Sequence, residues 1–259
     1  MRKALLSSLI PLGAGGLVLP AVLLLQPREP VYAGESLSYW MAHYYRGMVG
    51  AQQFVSPSAR EAIREAGTNA VPFLVKWMKL PGRGSSDLNL NEWARRGFEV
   101  LGPTAKAAVP DLIALLGKRG DYPSLALAAI GHDAIPAITN VLATNRDSRI
   151  QFAAYQTLSY MGTNAESALP CLLVCLRRPY GGIAAATLAE VCHNRPQEAI
   201  PALVDALTHS GGYDAAQMAD ALARMLHKPV EQMGGRGVRK LENSELYDNQ
   251  LRRPEPNRL

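Results

Sequence analysis

Residues equipped for chemistry are few in this 259-residue sequence, and they do not gather into motifs. The three cysteines, Cys171, Cys175 and Cys192, include no CxxC pair, although Cys171 and Cys175 are spaced for one face of a helix. Small buried thiols account for them better than a disulfide or a metal site, because the number is odd. The five histidines, His43, His132, His193, His209 and His227, show no HExxH or other ligand spacing. No GxSxG elbow, P-loop, dinucleotide fingerprint or paired-carboxylate motif occurs, and Gly13-Ala14-Gly15-Gly16 lies in an apolar leader rather than in a phosphate loop. Catalytic residues, metal ligands and cofactors are therefore not expected, and the chain reads as non-enzymatic.

The recurring polar feature is basic. Lys79, Lys118 with Arg119, and Arg177 with Arg178 fall near the ends of expected helices. In a stacked array these ends share one edge, which makes the five residues a candidate ridge for an acidic protein partner or a lipid head group. A simpler account is that the helix dipole favours cations at C-termini. The formal charge is +5, but Ser58 to Lys228 hold 17 Lys plus Arg against 15 Asp plus Glu. Without a dense basic stripe, nucleic acid is not the expected partner, and polyanion binding through the ridge stands as the alternative.

Arg2 and Lys3 precede an apolar run from Ala4 to Leu25, the pattern of an export signal. Val31-Tyr32-Ala33 offers small residues for cleavage after Ala33. Alternatively the run stays as an anchor, since about 20 apolar residues span a bilayer, although Pro11 and Pro20 make it a poor spanning helix. Either outcome places the rest of the chain outside the cytoplasm, in the periplasm or cell envelope, with membrane contact through this segment if it is retained.

An internal repeat supplies the elements. An aliphatic followed by proline recurs five times, at Val71-Pro72, Val109-Pro110, Ile135-Pro136, Leu169-Pro170 and Ile200-Pro201, and Ala precedes each pair. Counted from the aliphatic, positions i, i+3, i+4 and i+7 are apolar in nineteen of twenty cases, Thr139 being the exception. That is the core-facing stripe of an amphipathic helix. Proline one residue into the stripe marks the first turn, where its missing N–H has no intrahelical partner to lose.

A second helical pattern precedes each copy and stops at Gly67, Gly102, Gly131 and Gly162, with Cys192 in the fifth place. Ile63, Phe98, Leu127, Leu158 and Leu188 stand four residues before these stops. Glycine there predicts a left-handed helix end, and Ser58 with Glu61 predicts a capping box opening the first helix. Helix, turn, helix is the unit, and one pair cannot bury both its apolar faces, so neighbours must stack. Spacings of 38, 26, 34 and 31 residues between the prolines predict loops of varied length, the longest from Pro81 to Asn91. One more helix, with Met218, Leu222 and Met225 in phase, follows Gly211-Gly212, and beyond Pro229 the polar composition predicts a flexible tail.

The aliphatic-proline head of the second helix, and the Leu-Gly, Ile-Gly or Met-Gly end of the first, resemble HEAT and HEAT-like repeats, with Leu101-Gly102-Pro103 through Val109-Pro110-Asp111-Leu112 the nearest copy. The resemblance covers Ser58 to Lys228 and implies an all-α fold, a right-handed α-solenoid of about five stacked helix pairs. Tyr32-x-Gly34-x-x-Leu37-Ser38-x-Trp40 is similar to a segment between signal and repeats in exported bacterial HEAT-repeat proteins. The organisation that follows is a leader at 1–33, a linker and N-terminal cap at 34–57, the solenoid at 58–228 and the tail at 229–259. In the cap, Leu37, Trp40, Met41 and Tyr44 have helical spacing and are expected to cover the first pair's apolar face rather than to sit at a membrane interface. The function this implies is a protein–protein interaction or scaffold module, its partner another protein, with an accessory subunit of an enzyme as a further alternative.

Overall fold

The computed structural model describes residues 28–49, 52–81 and 90–226, and helix dominates them. Most of the expected leader, residues 1–27, and the tail from 229 onward lie outside the described residues.

From the end of the expected leader through the expected linker, the chain forms two short antiparallel hairpins around a helix. Strand β1 (Val31–Tyr32) pairs with β2 (Glu35–Ser36). Ala33 (φ 48°) and Gly34 (φ 84°) make the two-residue turn between them, with the positive φ values that primed hairpin turns need. Helix α1 (Leu37–Ala42) follows, and the Tyr39 N–H donates to the hydroxyl of its N-cap, Ser36, at 3.3 Å. Trp40 Nε1 donates to the Tyr32 carbonyl at 3.0 Å, and the two rings meet edge-on. Leu37, Met41 and Tyr44 are buried, so the hairpin, Trp40 and the apolar face of α1 form one small unit packed on the first helix pair. The second hairpin joins β3 (Tyr45–Val49) to β4 (Gln52–Val55).

From there helices alternate. The first helices of successive pairs are α2 (Pro57–Ala66), α4 (Leu90–Leu101), α6 (Tyr122–Ile130), α8 (Ser148–Met161) and α10 (Gly181–Val191). Their second helices are α3 (Val71–Lys79), α5 (Val109–Leu115), α7 (Ile135–Thr144), α9 (Leu169–Cys175) and α11 (Ile200–Thr208). A closing helix, α12 (Gly212–Met225), packs on α10 and α11. First helices touch in succession, α2 to α4, α6, α8, α10 and α12, and second helices do so from α3 through α5 and α7 to α9.

The stripe predicted from sequence is the core. Leu74, Leu112, Ile138, Leu172 and Leu203, each three residues after its aliphatic, are fully buried, as are Ile63, Phe98, Leu127, Leu158 and Leu188 on the first helices. The five prolines are exposed and sit in the first turn of their helices, where they leave no hydrogen bond unmade.

Two local expectations need correcting. The cap of α2 is Ser56, not Ser58: Ser56 Oγ accepts from the Ala59 N–H at 3.3 Å, Pro57 takes the first helical position, and Glu61 pairs with Arg64. The glycine ends are also not in the left-handed helical well. Gly67, Gly131 and Gly162 combine φ of 52°, 80° and 54° with ψ of −133°, −138° and −132°. That is the mirror image of extended backbone, open to glycine and closed to any residue with a Cβ. Cys192, at φ −94°, does not turn the chain this way. Asn91, at the far end of the longest loop, is buried, and its Nδ2 donates to the carbonyls of Trp77, Met78 and Leu80, closing the C-terminus of α3.

Candidate functional site

The five candidate ridge residues all lie at the C-terminal ends of second helices or just beyond them, and each is engaged inside the fold. Lys79 Nζ donates to Asp111 Oδ1 at 2.6 Å, linking α3 to α5. Lys118 Nζ donates to the Ala114 carbonyl at 2.9 Å. Arg119 Nη2 donates to the Lys79 carbonyl at 2.8 Å, and Arg178 Nη1 to the Leu142 carbonyl at 3.2 Å. Arg177 pairs with Asp205 on α11, whose carboxyl this hydrogen bond holds below its usual range. Arg119 and Arg178 thus do the same work two units apart: each bonds a carbonyl at the end of the preceding second helix, where the helix leaves acceptors unsatisfied. The dipole account of these cations has a direct counterpart in the geometry.

Two of the three thiols, Cys171 and Cys175, sit together, while Cys192 lies apart from them. Cys175 is buried beside Cys171 and the buried Tyr155. The hydrogen bond from Cys171 draws the Cys175 thiol below its ordinary range against the upward push of burial, with Tyr155 and Arg178 adding to the effect. Cys171 is half-buried and contacts the Thr139 carbonyl at 3.7 Å. Among the described residues no three His, Cys, Asp or Glu side chains converge on a point that would hold a metal ion.

A different place, which the repeat pattern does not reveal, has the form of a binding site. The N-terminal ends of α6, α8 and α10 open onto a groove of about 430 Å³, within the range of roughly 300–1,000 Å³ common for small-ligand sites. Phe152 and Tyr180 line it and are 52% and 41% exposed, a large apolar surface to leave in water. Tyr180 has φ 68°, strained for a residue with a side chain, and the glycines that follow it start α10. Gly117 (φ 69°) closes one wall, and a Cβ there would lie 3.1 Å from the Arg149 backbone.

Polar groups are organised around these rings. Gln156 Nε2 donates to the Tyr160 hydroxyl at 2.8 Å. Partial burial, followed by the Asp121 charge, raises the Tyr160 phenol above its ordinary value, so the hydroxyl stays protonated and able to donate. Arg149 pairs with Asp147, whose carboxylate caps α8 by accepting from the Arg149 N–H at 2.9 Å. A signal for this site does exist in the sequence: Phe152, Gln156 and Tyr160 are spaced i, i+4, i+8, a second stripe on α8 opposite Ala154 and Leu158.

No protein-family model matches this chain, and neither a curated protein nor a solved structure matches it significantly. Its function has to be argued from the residues themselves.

Proposed function

We propose that the chain is a non-enzymatic interaction module carried outside the cytoplasm, a right-handed α-solenoid of HEAT-like helix pairs whose surface binds another protein. The observation that carries this reading is the succession of contacts, first helix to first helix from α2 to α12 and second helix to second helix from α3 to α9. Pairs that stack on the pair before and the pair after generate an extended surface rather than an enclosed reactive centre.

Small residues favour close stacking of the first helices. Ser124 Oγ donates to the Ala153 carbonyl between α6 and α8, Ser159 bonds Thr187 between α8 and α10, and the Gly182 N–H donates to Asp214 between α10 and α12. These three bonds satisfy polar groups within the stack, although Gln217 Oε1, on α12 against Gly182, is buried without a partner. Export is supported by Arg2 and Lys3 ahead of the apolar run Ala4 to Leu25.

In-cell crosslinking followed by mass spectrometry of the envelope fraction tests the proposal. It predicts a reproducible protein partner crosslinked to residues within 58–226. Recovery of the chain in the cytoplasmic fraction, or of no partner under conditions that capture known envelope complexes, counts against it.

A further inference from the structure

We propose that the groove at the N-terminal ends of α6, α8 and α10 binds a neutral oligosaccharide, with Phe152 and Tyr180 against a sugar ring and Asp121 and Gln156 reading its hydroxyls. This goes beyond the protein-binding reading and does not depend on it, since three consecutive units form the groove whatever the rest of the surface meets.

Charge decides against an ionic ligand. The groove's lining carries one carboxylate, Asp121, and one guanidinium, Arg149, which pairs with Asp147 at 3.4 Å, so a ligand's own net charge would find no opposite excess there. Helices α6 and α10 add only Glu190 at the far end of α10. An uncharged ligand loses nothing to desolvation of an unmatched charge here.

Hydrogen-bonding capacity then separates the neutral ligands. Gln156 spends its Nε2 on Tyr160 and keeps Oε1 as an acceptor, and the Asp121 carboxylate is a further acceptor on the same lining. The groove therefore offers acceptors beside aromatic rings, and its ligand must bring donors beside an apolar face. A proline-rich extended peptide has apolar rings but a backbone short of N–H groups. A pyranose presents several O–H donors around a face of C–H groups, which an aromatic ring covers well. The backbone strain at Tyr180 fits the same assignment, because such strain persists where the surrounding structure holds a side chain in a working position.

Isothermal titration of the full chain with chitohexaose, cellohexaose and maltohexaose tests the assignment. Saturable binding to at least one of them is expected, weakened about tenfold or more by Phe152→Ala and by Gln156→Leu, a loss of roughly 1.4 kcal/mol or more. Tyr213→Ala, which removes a ring that is 76% exposed and lies off the groove, should leave affinity within about twofold. Circular dichroism of each variant checks that the helices are intact. No saturable heat with any of the three sugars overturns the proposal, as does an affinity indifferent to Phe152→Ala and Gln156→Leu, or binding of decaproline at Phe152 in their place. Any of these leaves a crosslinked protein partner untouched, so the two readings fail separately.

Discussion

Arg119 reaches back forty residues to donate from Nη2 to the carbonyl oxygen of Lys79, at 2.8 Å. The bond joins the end of one second helix to the turn that follows the next. Arg119→Ala should lower stability by about 1 kcal/mol, the usual net value of such a bond at a partly exposed site. Arg119→Lys should recover little of it, because a single ammonium on a different stem lacks the guanidinium's reach and planar fork. Urea unfolding of the two variants measures the difference. A full rescue by lysine would assign the position to charge alone.

Glycine at the ends of the first helices should resist replacement by asparagine as much as by alanine. Gly162 stands at φ 54° and ψ −132°, and asparagine is tolerated in the left-handed helical well, not in this mirror-extended region. Gly162→Ala and Gly162→Asn should both cost about 1–3 kcal/mol in thermal or urea unfolding. A nearly neutral asparagine variant would show that the turn relaxes into the left-handed well.

Depth in the stripe should set the cost of truncation. Ile138 is fully buried, while its neighbour Thr139 is half-buried and bonds its own helix through the Ile135 carbonyl at 3.1 Å. Ile138→Ala is expected to cost about 2–5 kcal/mol by transfer and cavity formation, and Thr139→Ala under about 1 kcal/mol. Denaturant midpoints of both variants check the ratio.

Acid should weaken the α4 surface. Burial pushes the Glu92 carboxyl up, but hydrogen bonds and charge from Arg95 and Arg96 outweigh it and hold the pKa below the ordinary 4.5. A depressed folded-state value contributes stability that is present above pH 4.5 and is lost as the pH falls through the depressed value. Wild type should therefore exceed Glu92→Gln in unfolding free energy at pH 7, and the gap should close as the pH falls below 4.5 and through the depressed value. A gap independent of pH would assign it to packing.

Processing after Ala33 would cut the first hairpin at its turn and remove Tyr32, whose carbonyl accepts from Trp40 and whose ring packs against it. The sequence offers Val31-Tyr32-Ala33 as a candidate cleavage signal, and the folded chain gives those same residues a structural task. Intact-mass analysis of the protein isolated from its host should find its N-terminus upstream of Val31. A mature chain beginning at Gly34 would show that the hairpin is dispensable.

Much of the helical layout was legible because it is periodic. Proline after an aliphatic marks a first turn, and four of the five first helices end on glycine, so boundaries such as Gly162 and Leu169 could be read one repeat at a time. The hairpin at Ala33-Gly34 was not legible, since two-residue strands carry no pattern. Ser56 was missed as a cap because Ser58 with Glu61 imitates the same motif at a spacing that Pro57 overrides. Phe152, Gln156 and Tyr160 were visible as a spacing, but nothing local says that their stripe meets Tyr180 from the next unit.

The sequence alone determined where helices start, where they stop and which side of each is apolar, because a helix is set by interactions between residues three or four apart. Only the tertiary structure decided what lies beside them: that the basic residues at second-helix ends are spent on Asp111, Asp205 and the carbonyls of Lys79, Ala114 and Leu142, and that Asp121, Phe152 and Tyr180 share one groove. Most of those partners are about 28 to 40 residues apart. Their meeting depends on how one pair settles on the next, which no local spacing encodes.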